Sequence, residues 1–368
     1  MAARGGGAVT TVDGGRASLT LTCVNCLEPF EWDGKQAYRR RSVGAPAQPV
    51  DLPAQTDPRW GFAIQDTFIR CPNEEDGDPH FFPVEFALYG RPVVIGFVGN
   101  SSAGKTCLLA AMTGEIDRNR LEPYGLQTEP INMGEHLDYV EKIVDPLFER
   151  GKAPPHTEVV DLVTYKDAVL LRTAAGRTFP LVFFDANGES LKGLQGSHAA
   201  VRFLHRVDGL VFVADPTLVA DAHMRGDPTY TATLASLRWA RATGQARFTI
   251  PTAIAITKSD LMRFDPPVDQ WLNRPPRPGG VDLGLLEQES RDAYAFLHQR
   301  GATAWLAPVN QFEQCTLHFV SASGAAYDDA TDYFVRPARP RRVLEPLVAL
   351  LAALDVLDGE FVRGASGF

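Results

Sequence analysis

Excess positive charge is missing from this 368-residue chain: 36 Lys and Arg stand against 45 Asp and Glu, a formal net charge of −9. Nothing global therefore draws it to nucleic acid or to an anionic membrane, and neither is expected as a partner. The two basic runs, Arg39-Arg40-Arg41 and residues 336–342, read as solvated loops against that background. Cysteine is scarce too, five residues at irregular spacing, which excludes a disulfide scaffold and fits a reduced setting. Long apolar runs are absent: residues 347–357 are interrupted by Asp355 and are too short to cross a bilayer. Residues 1–16 are rich in Gly and Ala without the apolar core of a signal peptide, so a disordered tail and a cytoplasmic location are expected.

What is present suggests two units. Pro46, Pro49, Pro53 and Pro58 punctuate a polar stretch, and residues 17–85 read as a small, strand-poor N-terminal module. From Arg91 onward, short apolar runs alternate with helical patterns. Residues 93–98, 181–184, 210–213, 252–256 and 317–320 are nearly continuous in Val, Ile, Leu, Ala and Phe, as in strands covered by helices on both faces. Residues 159–165 and 169–172 are two further strand candidates, split by Lys166-Asp167, which suggests an antiparallel edge. Leu137, Val140, Ile143, Val144, Leu147 and Phe148 recur at helical spacing, a core-facing stripe that Pro146 should kink or end. Helices are also expected over residues 285–298 and from Pro346.

The first apolar run leads into Gly99-Asn100-Ser101-Ser102-Ala103-Gly104-Lys105-Thr106, followed by Cys107 and an apolar helix start. This is the phosphate-loop pattern in its required strand-to-helix context. Glycines let backbone N–H groups wrap phosphates, and the helix N-terminus adds a positive dipole end. Lys105 then supplies charge to the β- and γ-phosphates, and the Thr106 hydroxyl is a Mg²⁺ ligand. The expected fold is therefore α/β, a P-loop NTPase three-layer domain over residues 91–358 with a mostly parallel sheet and an antiparallel edge strand. A helical insertion at about 115–155 and a second at about 262–314 interrupt it.

Asp185 ends the second run and precedes Ala186-Asn187-Gly188-Glu189. Its carboxylate can hold Mg²⁺ through water, and Gly188 can aim its N–H at a γ-phosphate. Thr257-Lys258-Ser259-Asp260 follows the fourth run: a carboxylate there accepts the N1–H and exocyclic amino hydrogens of guanine, which adenine does not offer. The Lys258 stem can pack over the base, and the small residues Ser321-Ala322-Ser323 can bring backbone close to the guanine oxygen.

In this order the motifs resemble the translation-factor-related class of P-loop GTPases: Asp185 to Gly188 its Asp-x-x-Gly motif, Thr257 to Asp260 its Asn/Thr-Lys-x-Asp motif, Ser321-Ala322 its Ser-Ala motif. Within that class the chain is similar to bacterial double-GTPase-type proteins, which carry an N-terminal zinc ribbon and a helical insertion before the first switch. The resemblance covers about residues 91–357. It implies GTP/GDP and Mg²⁺ as ligands, and makes Thr157 the switch residue that reaches Mg²⁺ and the γ-phosphate, with Thr128 the runner-up. Glu189 departs from the Gln or His that orients the attacking water in many such proteins.

Cys23-Val24-Asn25-Cys26 has the spacing of a zinc knuckle, and Cys71-Pro72 resembles the opening of a second. Position 74 is Glu rather than Cys, leaving His80, with Glu74 second, to complete a Zn²⁺ site. Cys107 and Cys315 read as small core residues, Cys107 also adjoining the nucleotide. The resulting expectation is a slow GTPase and regulatory switch that binds a guanine nucleotide and protein partners, a second GTPase or a second copy among them. The alternatives are a nucleotide-binding scaffold that does not turn over, which Glu189 favours, and a P-loop ATPase, which Lys258 and Asp260 oppose.

Overall fold

The apolar runs after Arg91 become the strands of one sheet because their side chains alternate between two buried layers. In the computed structural model, Val94 and Val98 join one core, while Val93, Ile95 and Phe97 join the other. The structure describes residues 10–13, 16–24, 26, 28–40, 46–73, 79–100, 102–155, 163–186, 204, 206–217, 227–240, 247–275 and 279–364.

N-terminal to residue 90 lie β1 (Thr10–Asp13), β2 (Arg16–Thr22), β3 (Pro29–Trp32), β4 (Gln36–Arg39), β5 (Gln48–Asp51), β6 (Thr67–Arg70) and β7 (Phe81–Pro83). They pair as a sheet β1-β2-β3 and a sheet β5-β4-β6-β7, all antiparallel. The expectation of a strand-poor module is thus corrected: each strand is only four to seven residues long except the three-residue β7, too short for period-two patterning to stand out. Trp32, Trp60, Phe82 and Phe86 of this module belong to the same buried cluster as Val94, Phe184 and Phe212, so its core is continuous with one face of the main sheet.

The main sheet is built from β8 (Val93–Val98), β9 (Leu126–Pro130), β10 (Val163–Thr173), β11 (Thr178–Ala186), β12 (Gly209–Ala214), β13 (Thr252–Ile256) and, after the short β14 (Val281–Asp282), β15 (Cys315–Phe319). Among the described residues it has seven strands in the order β15-β13-β12-β8-β11-β10-β9. The first five run parallel, and β10 is antiparallel to both its neighbours. That is the expected antiparallel edge, with two differences. Lys166-Asp167 does not separate two strands but sits at a bulge within β10, where the register shifts between Tyr165 and Asp167. The edge itself is β9, inside the stretch expected to be helical.

Helices Lys105–Asp117 and Glu345–Ala353 place Leu108, Leu109, Leu347 and Leu351 in one core layer. Pro228–Ala240 and Leu283–Gln299 place Leu234, Leu237, Phe296 and Leu297 in the other. Each such fully buried side chain contributes roughly 1.5–3 kcal/mol relative to exposure. Among the described residues no helix is long and apolar enough to cross a membrane.

The stripe read at residues 137–148 is corrected in part. The helix Met133–Tyr139 passes through a π-helical stretch, Val140–Val144, into the helix Asp145–Arg150. The wider turn rotates the preceding segment by about one residue position. Val144 and Leu147 are buried as expected, but His136 replaces Leu137, which is 54% exposed. Pro146 does not end the helix, because it falls in the first turn after the wider one.

A hairpin, β16 (Tyr327–Asp328) and β17 (Tyr333–Phe334), follows β15 and docks on the end of this helical segment. Phe334 N donates to Gly151 O at 2.7 Å and Ala338 N to Leu147 O at 3.1 Å. Gly151 is needed there, since a Cβ would lie 2.6 Å from the Arg336 carbonyl oxygen. A last strand, β18 (Val362–Arg363), pairs with β14.

Candidate functional site

In an open parallel sheet the carboxyl ends of the strands form the crevice where ligands bind. Here β8 delivers Gly99, β11 ends at Ala186 just past Asp185, β13 leads into Thr257, and β15 into Ser321. All four motifs read from the sequence therefore converge on one end of the sheet.

Gly99 is required because a Cβ would come within 2.7 Å of the Val213 carbonyl oxygen on β12. The following turn places Ser102 at φ +66° and Gly104 at φ +88° before the Lys105 helix begins. Left-handed backbone at both positions lets the loop curl back over the helix N-terminus. Lys105 is buried, and its Nζ donates to Gly99 O at 2.9 Å and Asn100 O at 3.0 Å. Thr106 Oγ1 donates to Asp185 Oδ2 at 2.8 Å, joining the helix to the end of β11, and Asp185 is fully buried. Cys107 packs against the core, and burial pushes its thiol up to about 12.

The β13 motif is tied to the same loop. Thr257 Oγ1 donates to Ala103 O at 2.7 Å and to Ala214 O at 3.0 Å. Lys258 adopts a left-handed φ of +54°, and its Nζ donates to Asp215 Oδ2 at 2.5 Å. Asp215, buried at the end of β12, also accepts from Thr217 Oγ1 at 2.5 Å. Sequence reasoning missed Asp215, although it follows an apolar strand just as Asp185 ends one. Asp260 is buried and accepts from Ser321 Oγ at 2.7 Å, while Ser321 Oγ accepts from Gly324 N at 2.9 Å. Ala322 and Ser323 follow in the same loop, with Ser323 Oγ donating to Ala325 O at 3.0 Å.

Thr128, the runner-up switch residue, lies away from the Asp185 end of the sheet. It lies on β9 opposite Leu171, which faces Phe179 of β11. Asp185 is six residues further along β11, roughly 20 Å at strand rise. Thr128 Oγ1 instead approaches Ile116 O at 3.4 Å. Ser101, Thr157, Gly188 and Glu189 lie outside the described residues.

The cysteine expectation meets a second cluster. One ligand atom from each of Cys23, Cys26, Cys71 and His80 lies within 4.8 Å of the others. Cys23 and Cys26 follow β2, Cys71 follows β6 and His80 precedes β7, so two hairpins close on one point. The Sγ atoms of Cys26 and Cys71 are 3.7 Å apart. A tetrahedral site with Zn–S bonds of 2.3 Å has an edge of about 3.8 Å. Hydrogen bonds from the Cys23 and Cys71 thiols hold Cys26 well below the usual thiol range, while Cys23 is pushed above it. Three sulfurs and an imidazole nitrogen gathered this closely fit a zinc ion. Glu74 lies outside the described residues. Arg206 Nη2 donates to Glu28 Oε2 at 2.7 Å, an ion pair between this module and the main domain.

The basic run at 336–342 is more than a solvated loop. Arg342 is nearly buried and pairs with Glu289 Oε2 at 2.7 Å, where His318 Nδ1 also meets that oxygen at 3.1 Å. Burial raises the Glu289 carboxyl, but His318 and Arg342 outweigh it and hold the group below its ordinary value.

No curated protein matches the chain. Among solved structures it is similar to a bacterial selenocysteine-specific elongation factor, at 15% identity and a TM-score of 0.29, over 73% of this chain and 29% of that one. It therefore spans less than a third of that factor's length. It is also similar to an ADP-ribosylation-factor-like GTP-binding protein, a small COPII coat GTPase from Encephalitozoon cuniculi in complex with GDP. The identity there is 14% and the TM-score 0.29, over 73% of this chain and 81% of that one. Superpositions that loose add nothing to the family model, Double-GTPase 2, which matches residues 93–293. Since that match spans more than half of the 368 residues, the protein belongs to the Double-GTPase 2 family of nucleotide-binding proteins.

Proposed function

We propose that the protein is a GTP-binding, slowly GTP-hydrolysing regulatory switch whose nucleotide state controls binding of a protein partner. The observation that carries this reading is the 2.8 Å contact between Thr106 Oγ1 and Asp185 Oδ2. It joins a hydroxyl from the phosphate-loop helix to a buried carboxylate from a separate strand, the hard-oxygen pair that suits Mg²⁺. Bound there, Mg²⁺ would supply positive charge against the phosphates of the nucleotide.

The chain's own groups do the rest. Backbone N–H groups of residues 99–106 cradle the phosphates. Lys105 Nζ rests on two neutral carbonyls, acceptors that an anionic phosphate outcompetes. Asp260, steadied by Ser321, accepts the guanine N1–H and amino hydrogens, and the Ala322-Ser323 backbone lies toward the guanine oxygen. Adenine has an acceptor at N1 and so cannot offer Asp260 the paired donors of guanine, which disfavours an ATPase. Thr157 and Gly188 meet the γ-phosphate, so their segments order with GTP and relax with GDP, presenting or withdrawing a partner surface. Glu189 accepts hydrogen bonds from the attacking water. Water oxygen bonds to the γ-phosphorus while one of its protons passes to a γ-phosphoryl oxygen, the bond from the γ-phosphorus to the bridging oxygen breaks with its electron pair on that oxygen, and GDP and hydrogen phosphate leave.

Calorimetric titration with GTP, GDP and ATP tests the reading. Mg²⁺-dependent binding of GTP and GDP, lost in Lys105→Ala, is expected. ATP binding as tightly as GTP, or wild-type affinity in Lys105→Ala, would sink it.

A further inference from the structure

The loop after β15 returns to the site a second time. Arg339 N donates to Ser323 O and Arg341 N to Ser321 O, both at 2.8 Å, so the arginine run is laid antiparallel to the Ser321-Ala322-Ser323 loop. Beside Asp260 this creates a cavity of about 140 Å³, lined among others by Asn273 and four arginines: Arg263, Arg336, Arg339 and Arg341.

Three of these guanidinium groups are held by neutral acceptors of residues that also line the cavity. Arg263 Nη1 donates to Asp260 O at 2.8 Å, Arg336 Nη2 to Gly324 O at 2.5 Å, and Arg341 Nη1 to Asn273 Oδ1. Each retains further N–H donors. Among the described residues none of the four arginines forms a carboxylate ion pair. Among the described lining residues the single carboxylate, Asp260, already accepts from Ser321. Four cations against one anion in so small a space repel one another, and in a chain of net charge −9 the surplus is local. Planar guanidinium forks answer phosphoryl oxygens two at a time, and groups already fixed by a carbonyl lose little freedom in doing so.

We propose that this cavity is a second anion site, distinct from the Lys105 loop, that binds the phosphoryl group of a small molecule: inorganic phosphate or pyrophosphate, or the phosphate end of a nucleotide. An occupant would compete for Arg336 and Arg263, which grip Gly324 O and Asp260 O. Gly324 N in turn holds Ser321 Oγ at 2.9 Å. Occupancy therefore bears on the Ser321–Asp260 pair and shifts guanine release, a consequence that rests on the nucleotide reading above.

The test is calorimetric titration of the full chain with inorganic pyrophosphate at fixed ionic strength, against a chloride control. Two sites are expected. One disappears in Lys105→Ala; the other weakens roughly ten-fold or more in Arg339→Gln or Arg341→Gln and less in Arg339→Lys, which keeps charge without the fork. Arg339 is exposed, and its loop pairing is through backbone, so Arg339→Gln leaves the fold in place. On the Lys105→Ala background, inorganic pyrophosphate and GDP compared at the remaining site separate the free ion from a nucleotide's phosphate end. A single site that vanishes in Lys105→Ala and ignores the arginines overturns the proposal. So does a Glu-rich peptide that binds through these arginines more tightly than pyrophosphate. In the unmutated chain, an arginine-dependent site with no Lys105-dependent site beside it counts against the nucleotide reading and not against this one.

Discussion

Ser321 Oγ donates to the carboxylate of Asp260 across 2.7 Å, although 61 residues separate the two. The bond is made between loops that leave adjacent parallel strands, so the sheet register sets the orientation of the carboxylate. Removing the hydroxyl in Ser321→Ala should leave Asp260 free to turn and weaken GDP binding about ten-fold, the worth of one hydrogen bond to a charged group. Asp260→Asn should instead admit xanthine nucleotides, because the amide presents a donor where guanine needs an acceptor. Fluorescence titration with GDP and XDP reads both; unchanged GDP affinity in Ser321→Ala would show that Ser321 does not position the base acceptor.

The Cys23, Cys26, Cys71 and His80 cluster should hold about one zinc per chain, measured by elemental analysis of protein prepared without chelator. Cys23→Ser and Cys71→Ser should lower both metal content and melting temperature. Because the module's core continues into the main sheet, metal loss should also weaken the packing of Val94 and Phe184. A zinc content near zero contradicts the assignment.

Hydrolysis by the isolated chain should be slow, on the order of ~10⁻⁴ to 10⁻² s⁻¹, if Glu189 stands, as proposed, where many GTPases place Gln or His and so sets negative charge near the γ-phosphate. Glu189→Gln separates two roles under single-turnover conditions. A loss of rate identifies Glu189 as the water-orienting group, whereas an equal or faster rate identifies it as merely repulsive. No GDP above background at any protein concentration would turn the reading toward a nucleotide-binding scaffold.

Glu85 sits in the turn Val84–Leu88 that joins the N-terminal module to β8. Burial pushes its carboxyl up to about 7 from 4.5, and the nearby charges of Asp66 and Glu135 add to the rise. Between those values the folded chain holds a proton that the unfolded chain releases, so this group's stabilisation is full below pH 4.5 and is lost as pH rises through 7. Urea melts of wild type and Glu85→Gln should diverge between pH 5 and pH 8, by a term on the order of 3 kcal/mol in favour of the variant at the higher pH. Parallel pH profiles would rule out a buried, protonated Glu85.

The strands and the motifs of the main domain were legible because each is local. A buried parallel strand must be apolar throughout, and a phosphate loop must place Gly99, Gly104, Lys105 and Thr106 at fixed spacing on one strand-to-helix turn. Less was legible where short segments depend on distant partners. The strands β1 to β7 are too brief to show a period, β9 is recognisable only by its pairing with β10, and Leu137 loses its place in the stripe to a π-helical turn with no sequence marker.

By itself the amino-acid sequence determined which groups this protein can offer a ligand: one loop for phosphates, Asp185 and Thr106 for a hard cation, Asp260 for a base, four soft donors for zinc. Only the tertiary structure decided which of them meet. Sheet order put β8, β11, β13 and β15 side by side with their carboxyl ends together. The hairpin after β15 turned a basic run into the wall of a cavity beside Asp260. Side-chain chemistry belongs to single residues and is written in the chain. Proximity across 61 or 79 residues belongs to packing, where the burial of whole strands outweighs any one polar contact and so sets the distances at which those contacts form.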